Sequence, residues 1–340
     1  MNTFSHRCDR FEVLKKVRGR KRLFFDMSIW IELERGRTDA ARSALALLRH
    51  GVANKQLLCP FQFTTMWELT KQDQSSRERL ATLIEELSLN VAFAARDDVF
   101  AWECDGLVGV LLDEQPTKLL DSLFVPPGYY LSDSAECAFP DGGLPEDEQA
   151  EMSRHLQQKT EELTLTELVK MRGSSVEKMP HPNIPYQSMA RNARAASGGN
   201  KAALFHGIAV EFTNQYVAPC LDRLPELRRS MARAALVAKA AGPGGSPLDF
   251  VLRHTPAIRN AAEALAGMLQ ETGRKDNPND FYDLESLPVP LAYADAVVFR
   301  DKRIRNLLRN RTDLLKQNKC HYFYDLPEFI TYLKGQPAQT

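Results

Sequence analysis

The sequence predicts an α/β protein with a small parallel-sheet core and a large, mostly α-helical insertion. Three observations support this fold class. Short apolar segments alternate with helical segments over residues 22–100, long helical patterns fill residues 101–275, and the alternation returns over residues 276–335. Strand and helix alternation is typical of parallel sheets, because parallel neighbours need a crossover connection. We therefore expect a split core, preceded by a basic N-terminal segment at residues 1–21.

Composition places the chain among ordinary folded proteins. Its 340 residues are 44% hydrophobic and 26% charged, which is not the balance of a disordered chain. No stretch approaches the roughly 18 consecutive apolar residues of a membrane helix, and the N-terminus lacks the apolar segment of a secretory signal. We expect a cytoplasmic protein that does not associate with a membrane.

The cysteine spacing argues against a zinc-binding protein, and the net charge argues against a protein that only coats nucleic acid. The six cysteines form no CxxC pair, so we expect free thiols and no zinc knuckle. A net charge of zero argues against a passive nucleic-acid coat. Basic residues are nevertheless dense from Arg7 to Arg22 and from Arg300 to Lys319. Both segments are candidate phosphate-contacting surfaces, with solvated charge as the alternative for each.

The first core segment contains three predicted strands. Residues 22–26, RLFFD, form a short apolar strand that ends in an acid, and the helix in SIWIELERG ends at Gly36. After a helix over residues 38–51, QLLCP predicts a second strand. FQFTTMWELTK and SSRERLATLIEELS then predict helices, the latter capped by Ser76. VAFAA predicts the third strand.

The insertion and the second core segment follow. Residues 100–270 contain long helical patterns and no predicted strand, and the GPGGSP segment is a connector because no Gly-Lys-Ser/Thr follows it. After residue 276, a helix carrying acids leads into the strand AVVF, which Asp301 follows closely. The chain therefore leaves the predicted sheet near residue 100 and returns to it near residue 280.

Carboxylates lie at the positions where α/β sheets bind ligands. Asp26 and Asp301 follow predicted strands, and the carboxyl ends of parallel strands meet at one edge of a sheet. Glu68 lies in the helix after the second strand. Asp280 and Asp283 are three residues apart and share a helix face. We expect these acids to converge on one cleft.

Clustered carboxylates need a cation. Two carboxylates about 4 Å apart repel by roughly 4 kcal/mol at an effective dielectric constant near 20. A divalent cation removes this repulsion, and oxygen ligands without Cys or His favour Mg²⁺ or Mn²⁺ over zinc.

With these motifs the sequence resembles the PIN-domain nucleases, a family with acids at the strand ends of a small parallel sheet. The resemblance rests on FFDMSIW, TTMWELTK and NDFYDLESLPVPLAYADAVVFRDK. It implies that Asp26 is the first-strand acid, followed by the small polar residue Ser28. It also implies that Glu68 is the helix glutamate, Asp283 the acid opening the last core helix, and Asp301 the acid after the last strand.

Two departures from the family pattern affect the site. The family usually has Thr or Ser two residues before the last acid, where this chain has Phe299. Pro288 and Pro290 interrupt the helix that should follow Asp283. Asp280 and Asp295 are therefore kept as additional catalytic candidates.

The resemblance implies a metal-dependent nuclease with RNA as the favoured substrate. One or two ions would activate a water molecule at the scissile phosphate. Ser28 and a basic group after the last strand are the candidate nucleic-acid contacts; that group consists of Arg300, Lys302, Arg303 and Arg305.

A second interpretation is a catalytically inactive PIN-like scaffold that binds nucleic acid or protein. Phe299 is its main support, because it replaces the expected Thr or Ser. A second copy of the chain or an inhibitory protein stays open as a partner. The setting, whether toxin, phage defence or RNA processing, also stays open.

A third interpretation is a different metal-dependent phosphohydrolase that acts on nucleotides, because the acids alone do not define substrate size. The basic flanking segments favour a polymer instead.

Overall fold

The structure is a computed structural model that describes residues 10–114, 122–132, 155, 159–160, 162–172, 186–241, 245–270, 285–309 and 317–335. It is α/β and mostly helical, with a small parallel sheet. No helix within these ranges is both long and apolar enough to cross a membrane.

The chain forms two compact units. Unit 1 consists of Met1–Ala95, Asp121–Glu177 and Phe323–Thr340. Unit 2 consists of Arg96–Leu120 and Lys178–Tyr322. Unit 2 thus begins near the predicted start of the insertion, and it includes residues 276–322, which the sequence assigned to the core. The predicted domain boundaries themselves stay a prediction.

The elements up to residue 132 are, in chain order, α1 (Arg10–Val17), β1 (Lys21–Phe25), α2 (Met27–Arg35), α3 (Asp39–Ala53), β2 (Leu57–Leu58), α4 (Phe63–Thr70), α5 (Gln74–Ser88), β3 (Ala92–Phe93), α6 (Arg96–Leu111), β4 (Phe124–Val125) and α7 (Tyr129–Ser132).

The remaining elements are α8 (Leu165–Arg172), α9 (Tyr186–Ala196), α10 (Lys201–Phe212), a π-helix (Thr213–Val217), α11 (Ala218–Asp222), α12 (Glu226–Ala240), α13 (Pro247–His254), α14 (Pro256–Gln270), α15 (Pro288–Tyr293), β5 (Ala296–Val298), α16 (Lys302–Arg309), β6 (His321–Phe323) and α17 (Leu326–Lys334).

The parallel pair in unit 1 is formed by β1 and β2. Lys21 lies opposite Leu57 and Arg22 lies opposite Leu58. The strand β1 ends in three buried residues, Leu23 to Phe25, which is the run that predicted it. Helices α2 and α3 form the crossover that a parallel pair requires. The first two predicted strands are thus confirmed.

Aromatic side chains fill the core of unit 1 next to β1. The Phe25 ring meets Trp30 edge-on at 5.2 Å and Phe329 at 5.5 Å, measured between ring centroids. Phe24 contacts Phe93 in the same way at 6.2 Å. Edge-to-face geometry is favourable for aromatic pairs, so these contacts anchor β1 to α2 and α17.

Two helix ends, the C-terminus of α2 and the N-terminus of α5, were predicted from short stretches of sequence. The helix α2 ends at Gly36 as predicted, and Gly36 has the positive φ of 55° that favours glycine. The predicted cap of α5 is wrong, because its N-cap is Asp73 and not Ser76. The Asp73 carboxylate accepts a 2.9 Å hydrogen bond from the Ser76 backbone N–H, so α5 starts one turn earlier.

The third predicted strand exists but pairs differently. Residues 92–93 of VAFAA form β3, which lies antiparallel to β4, with Ala92 opposite Val125 and Phe93 opposite Phe124. The expectation of no strand between residues 100 and 270 is therefore also wrong. The strand β4 spans only two residues, too few to show an alternating pattern.

Unit 2 is built around the alanine-rich helix α14. Ala209 of α10, Leu252 of α13 and Ala262 of α14 form a buried cluster. The buried Glu103 carboxylate of α6 accepts backbone N–H bonds from Ala257 at 2.7 Å and Ile258 at 3.2 Å. Glu103 thereby satisfies two of the N–H groups that have no partner within α14.

The predicted strand AVVF is confirmed as β5, whose three residues are fully buried. The His321 backbone N–H donates to the Asp295 carbonyl at 3.0 Å, which joins the start of β5 to β6. Helix α15 begins at Pro288. Proline is tolerated at the first helical position, so the helix starts at the predicted interruption and does not pass through it.

Candidate functional site

Asp26 occupies the first position after β1. Asp26 is a half-buried residue, and its chain neighbours Phe25 and Met27 are buried. Its backbone carbonyl accepts hydrogen bonds from the N–H groups of Ile29 at 3.0 Å and Trp30 at 3.2 Å. The side chain makes no capping hydrogen bond to α2. The backbone of Asp26 therefore starts the helix, and its carboxylate is not used as the helix cap.

Ser28 contacts this carboxylate directly. The exposed Ser28 hydroxyl donates a 2.6 Å hydrogen bond to Oδ2 of Asp26. That distance is typical of a hydroxyl donating to an ionised acceptor. The structure thus brings together two of the residues that the sequence assigned to the site.

Glu68 lies in α4, also in unit 1. Its side chain is half-buried, between the buried residues Trp67 and Leu69. Trp67 is only 4% exposed and belongs to the core. Glu68 is therefore the partly accessible acid of an otherwise apolar helix segment.

Asp301 lies in unit 2, shortly after β5, and has a structural role. Its Oδ1 atom accepts hydrogen bonds from the backbone N–H groups of Arg303 at 2.6 Å and Ile304 at 3.0 Å. Asp301 is thus the N-cap of α16. An Asp directly before a helix is a strong capping signal. A carboxylate has further acceptor positions, so the cap does not exclude metal binding.

Three further acids were predicted to belong to the site, namely Asp280, Asp283 and Asp295. Asp295 is half-buried immediately before β5. Asp280 and Asp283 lie outside the described residues.

Glu285, close after Asp283 in the chain, is an acid that sequence analysis overlooked. It forms an ion pair with Arg96, and both side chains are mostly buried. Burial raises the pKa of Glu285 to about 7, and the charge of Arg96 opposes that shift.

The basic group predicted to contact phosphates lies in and beside α16. Lys302 and Arg303 are exposed, as is Arg300, and Arg305 is half-buried. Ile304 of the same helix is buried. The helix therefore presents positive charge to solvent and packs its apolar side inward, which suits contact with a phosphate backbone.

The predicted metal cluster stays a prediction. Among the residues that the structure describes, no group of three or more His, Cys, Asp or Glu side chains is arranged to hold a metal ion. The donors that Asp26 and Glu68 offer are carboxylate oxygens, which Mg²⁺ and Mn²⁺ prefer.

Comparison of the chain with protein-family models, curated proteins and solved structures gave no significant match.

Proposed function

We propose that this protein is a metal-dependent nuclease that hydrolyses phosphodiester bonds, with RNA as the favoured substrate and Mg²⁺ or Mn²⁺ as the cofactor. One observation carries the proposal. Asp26 follows a buried parallel strand, its carboxylate does not cap the adjacent helix, and Ser28 holds that carboxylate through a hydrogen bond.

The placement of Asp26 argues for a functional carboxylate. The α2 helix begins through the backbone carbonyl of Asp26, which any residue could supply at this position. Strand ends of this kind are the usual ligand sites of α/β sheets.

The proposed ligands are the acids that the sequence singled out, namely Asp26, Glu68, Asp283 and Asp301. A bound divalent cation would lower the pKa of a coordinated water and offset the charge that develops on phosphate. Ser28 orients the Asp26 carboxylate. Arg300, Lys302 and Arg303 would bind flanking phosphates without reading sequence.

A cleavage assay tests the proposal. Purified protein is incubated with labelled single-stranded and double-stranded RNA and DNA, in Mg²⁺, Mn²⁺ or excess chelator. We expect metal-dependent cleavage, strongest on RNA, that chelator abolishes. Absence of cleavage of every substrate in both metals would contradict the proposal.

A second candidate function is nucleic-acid binding without catalysis. It is favoured by the capping role of Asp301, whose Oδ1 atom already accepts two backbone N–H groups, and by the exposed basic side of α16. This candidate predicts that the labelled substrates bind but remain intact in either metal. A gel-shift measurement beside the cleavage assay separates the two functions.

A further inference from the structure

Two buried cysteines of unit 2 lie side by side. Cys104 belongs to α6 and Cys220 belongs to α11, two helices that pack against each other, and each thiol lies within hydrogen-bonding reach of the other. Cys104 is fully buried, and Cys220 is 7% exposed. Two cysteines can form a disulfide only when their side chains approach each other in this way.

A positive charge lies against one of the two sulfur atoms. The Arg223 guanidinium donates a 3.0 Å hydrogen bond to Sγ of Cys220. Arg223 is itself exposed, so Cys220 lies one side chain away from solvent. The negative charge of Asp105, next to Cys104 in the chain, raises the pKa of Cys220 and so opposes the effect of Arg223, which lowers it.

The surroundings make the two thiols unequal. The hydrogen bond from Cys104, followed by the interaction with Arg223, lowers the pKa of Cys220 to about 7. The hydrogen bond to Cys220, followed by burial, raises the pKa of Cys104. Cys220 is therefore the thiol of the pair that ionises more readily, and Cys104 is the one that keeps its proton. A low-pKa thiolate beside a second thiol is typical of cysteines that undergo reversible oxidation.

We propose that Cys104 and Cys220 are an oxidation site that hydroperoxides convert to a reversible disulfide. The Cys220 thiolate attacks a peroxide oxygen, the O–O bond breaks, and sulfenic acid and hydroxide (or alkoxide) form. The Cys104 sulfur then attacks the Cys220 sulfur, the S–O bond breaks, and water leaves with the Cys104 proton. The two sulfurs are oxidised and one peroxide is reduced.

The proposal does not depend on nuclease activity. It rests on the contact between the thiols and on Arg223 alone. The bond would link α6 covalently to α11, the helix that follows the π-helix Thr213–Val217. Cys59 is an internal comparison, because it is fully buried and burial raises its pKa above the ordinary thiol value.

The test treats the full-length reduced protein with hydrogen peroxide at neutral pH, blocks the remaining thiols with an alkylating reagent, and maps peptides by mass spectrometry. We expect a peptide pair linked through Cys104 and Cys220 that dithiothreitol separates, while Cys59 stays reduced. Recovery of both thiols in alkylated form would overturn the proposal, and so would equal oxidation of Cys59.

Two variants keep the test independent of disulfide detection. In Cys104→Ser, Cys220 should accumulate as sulfenic acid, which dimedone traps. Arg223→Gln should slow oxidation of Cys220 several-fold, and the matched control Arg223→Lys should retain most of the rate because it keeps the charge. Circular dichroism confirms that each variant is folded. No dimedone adduct in a folded Cys104→Ser protein, or an unchanged rate in Arg223→Gln, would contradict the mechanism.

Discussion

The Ser28 hydroxyl donates a 2.6 Å hydrogen bond to Oδ2 of Asp26, so the residue two positions after the strand-end acid contacts that acid directly. The helix α2 makes this contact possible, because it begins between the two residues and turns Ser28 back toward the strand end.

Asp26→Asn should reduce cleavage by more than about 100-fold, which exceeds the usual effect of losing a residue that only supports a metal ligand. The amide keeps the side-chain volume but removes an anionic oxygen, so circular dichroism should match wild type. Cleavage rates are measured in Mn²⁺. Asp39→Asn is the matched control, because Asp39 is an exposed acid that also opens a helix. Full activity of Asp26→Asn would remove Asp26 from the site.

Mn²⁺ should raise the melting temperature of the native protein. A ligand that binds only the folded state stabilises it by an amount that rises with the logarithm of its concentration relative to the dissociation constant. Melting is followed by differential scanning fluorimetry at increasing metal concentration. The double variant Asp26→Asn, Asp283→Asn should lose the shift, and an equal shift in that variant would place the bound metal elsewhere.

Substitutions at Asp301 separate its capping role from a catalytic role. Asparagine is as good an N-cap as aspartate, whereas alanine loses the cap at a cost of about 1 kcal/mol. Asp301→Asn should therefore keep wild-type stability but lose cleavage, and Asp301→Ala should lose both. Denaturant unfolding and cleavage rates are measured on both variants. Full cleavage by folded Asp301→Asn would assign the residue to the cap alone.

Neutralising two exposed residues of α16, Lys302→Gln with Arg303→Gln, should weaken nucleic-acid binding and reduce its dependence on salt. Each lost phosphate contact lowers the slope of log K against log salt by about 0.7 to 0.9. Binding is measured by fluorescence anisotropy over a range of salt concentrations. Arg191→Gln with Lys201→Gln is the control, because both residues are exposed in other helices. An equal effect of both pairs would indicate nonspecific attraction.

Glu103 should make stability depend on pH. Burial raises its pKa to about 7, while Tyr293 and the N-terminus of α14 limit the rise. The folded pKa lies above the unfolded value, so the contribution of Glu103 is present below about pH 4.3 and is lost as pH rises through about 7.

The comparison is between wild type and Glu103→Gln, which cannot ionise. The difference in their free energy of unfolding should change by about 2 to 3 kcal/mol between pH 5 and pH 8, with wild type losing stability as pH rises. Other titrating groups, such as Glu285, are present in both proteins and cancel. A constant difference would show that the Glu103 pKa is not raised in the folded state.

Much of the fold could be predicted because its signals are local. The run Leu23 to Phe25 and the buried run of β5 are apolar on both faces, as strands of a buried sheet are. The strand β4 could not be predicted, because Phe124 and Val125 become a strand only by pairing with β3. Asp73 and Ser76 are both good caps, and the packing of α5 decides between them.

Some features of the candidate site could likewise be predicted from a short stretch of sequence, and others could not. The position of Asp26 after a strand follows from a short segment of sequence, so it could be predicted. The contact between Cys104 and Cys220 could not, because the two cysteines are far apart in the chain and no spacing rule connects them. The role of Glu103 could not be predicted either, because the sequence does not show which backbone N–H groups a buried acid of an apolar helix contacts.

The contact between Phe25 and Phe329 has a consequence for how the protein is made. Phe25 belongs to β1, and Phe329 belongs to α17, much later in the sequence. During synthesis, the side of the Phe25 ring that Phe329 covers stays exposed until α17 has also left the ribosome. An apolar surface that is exposed while a chain is being made is the condition under which folding chains bind chaperones or aggregate.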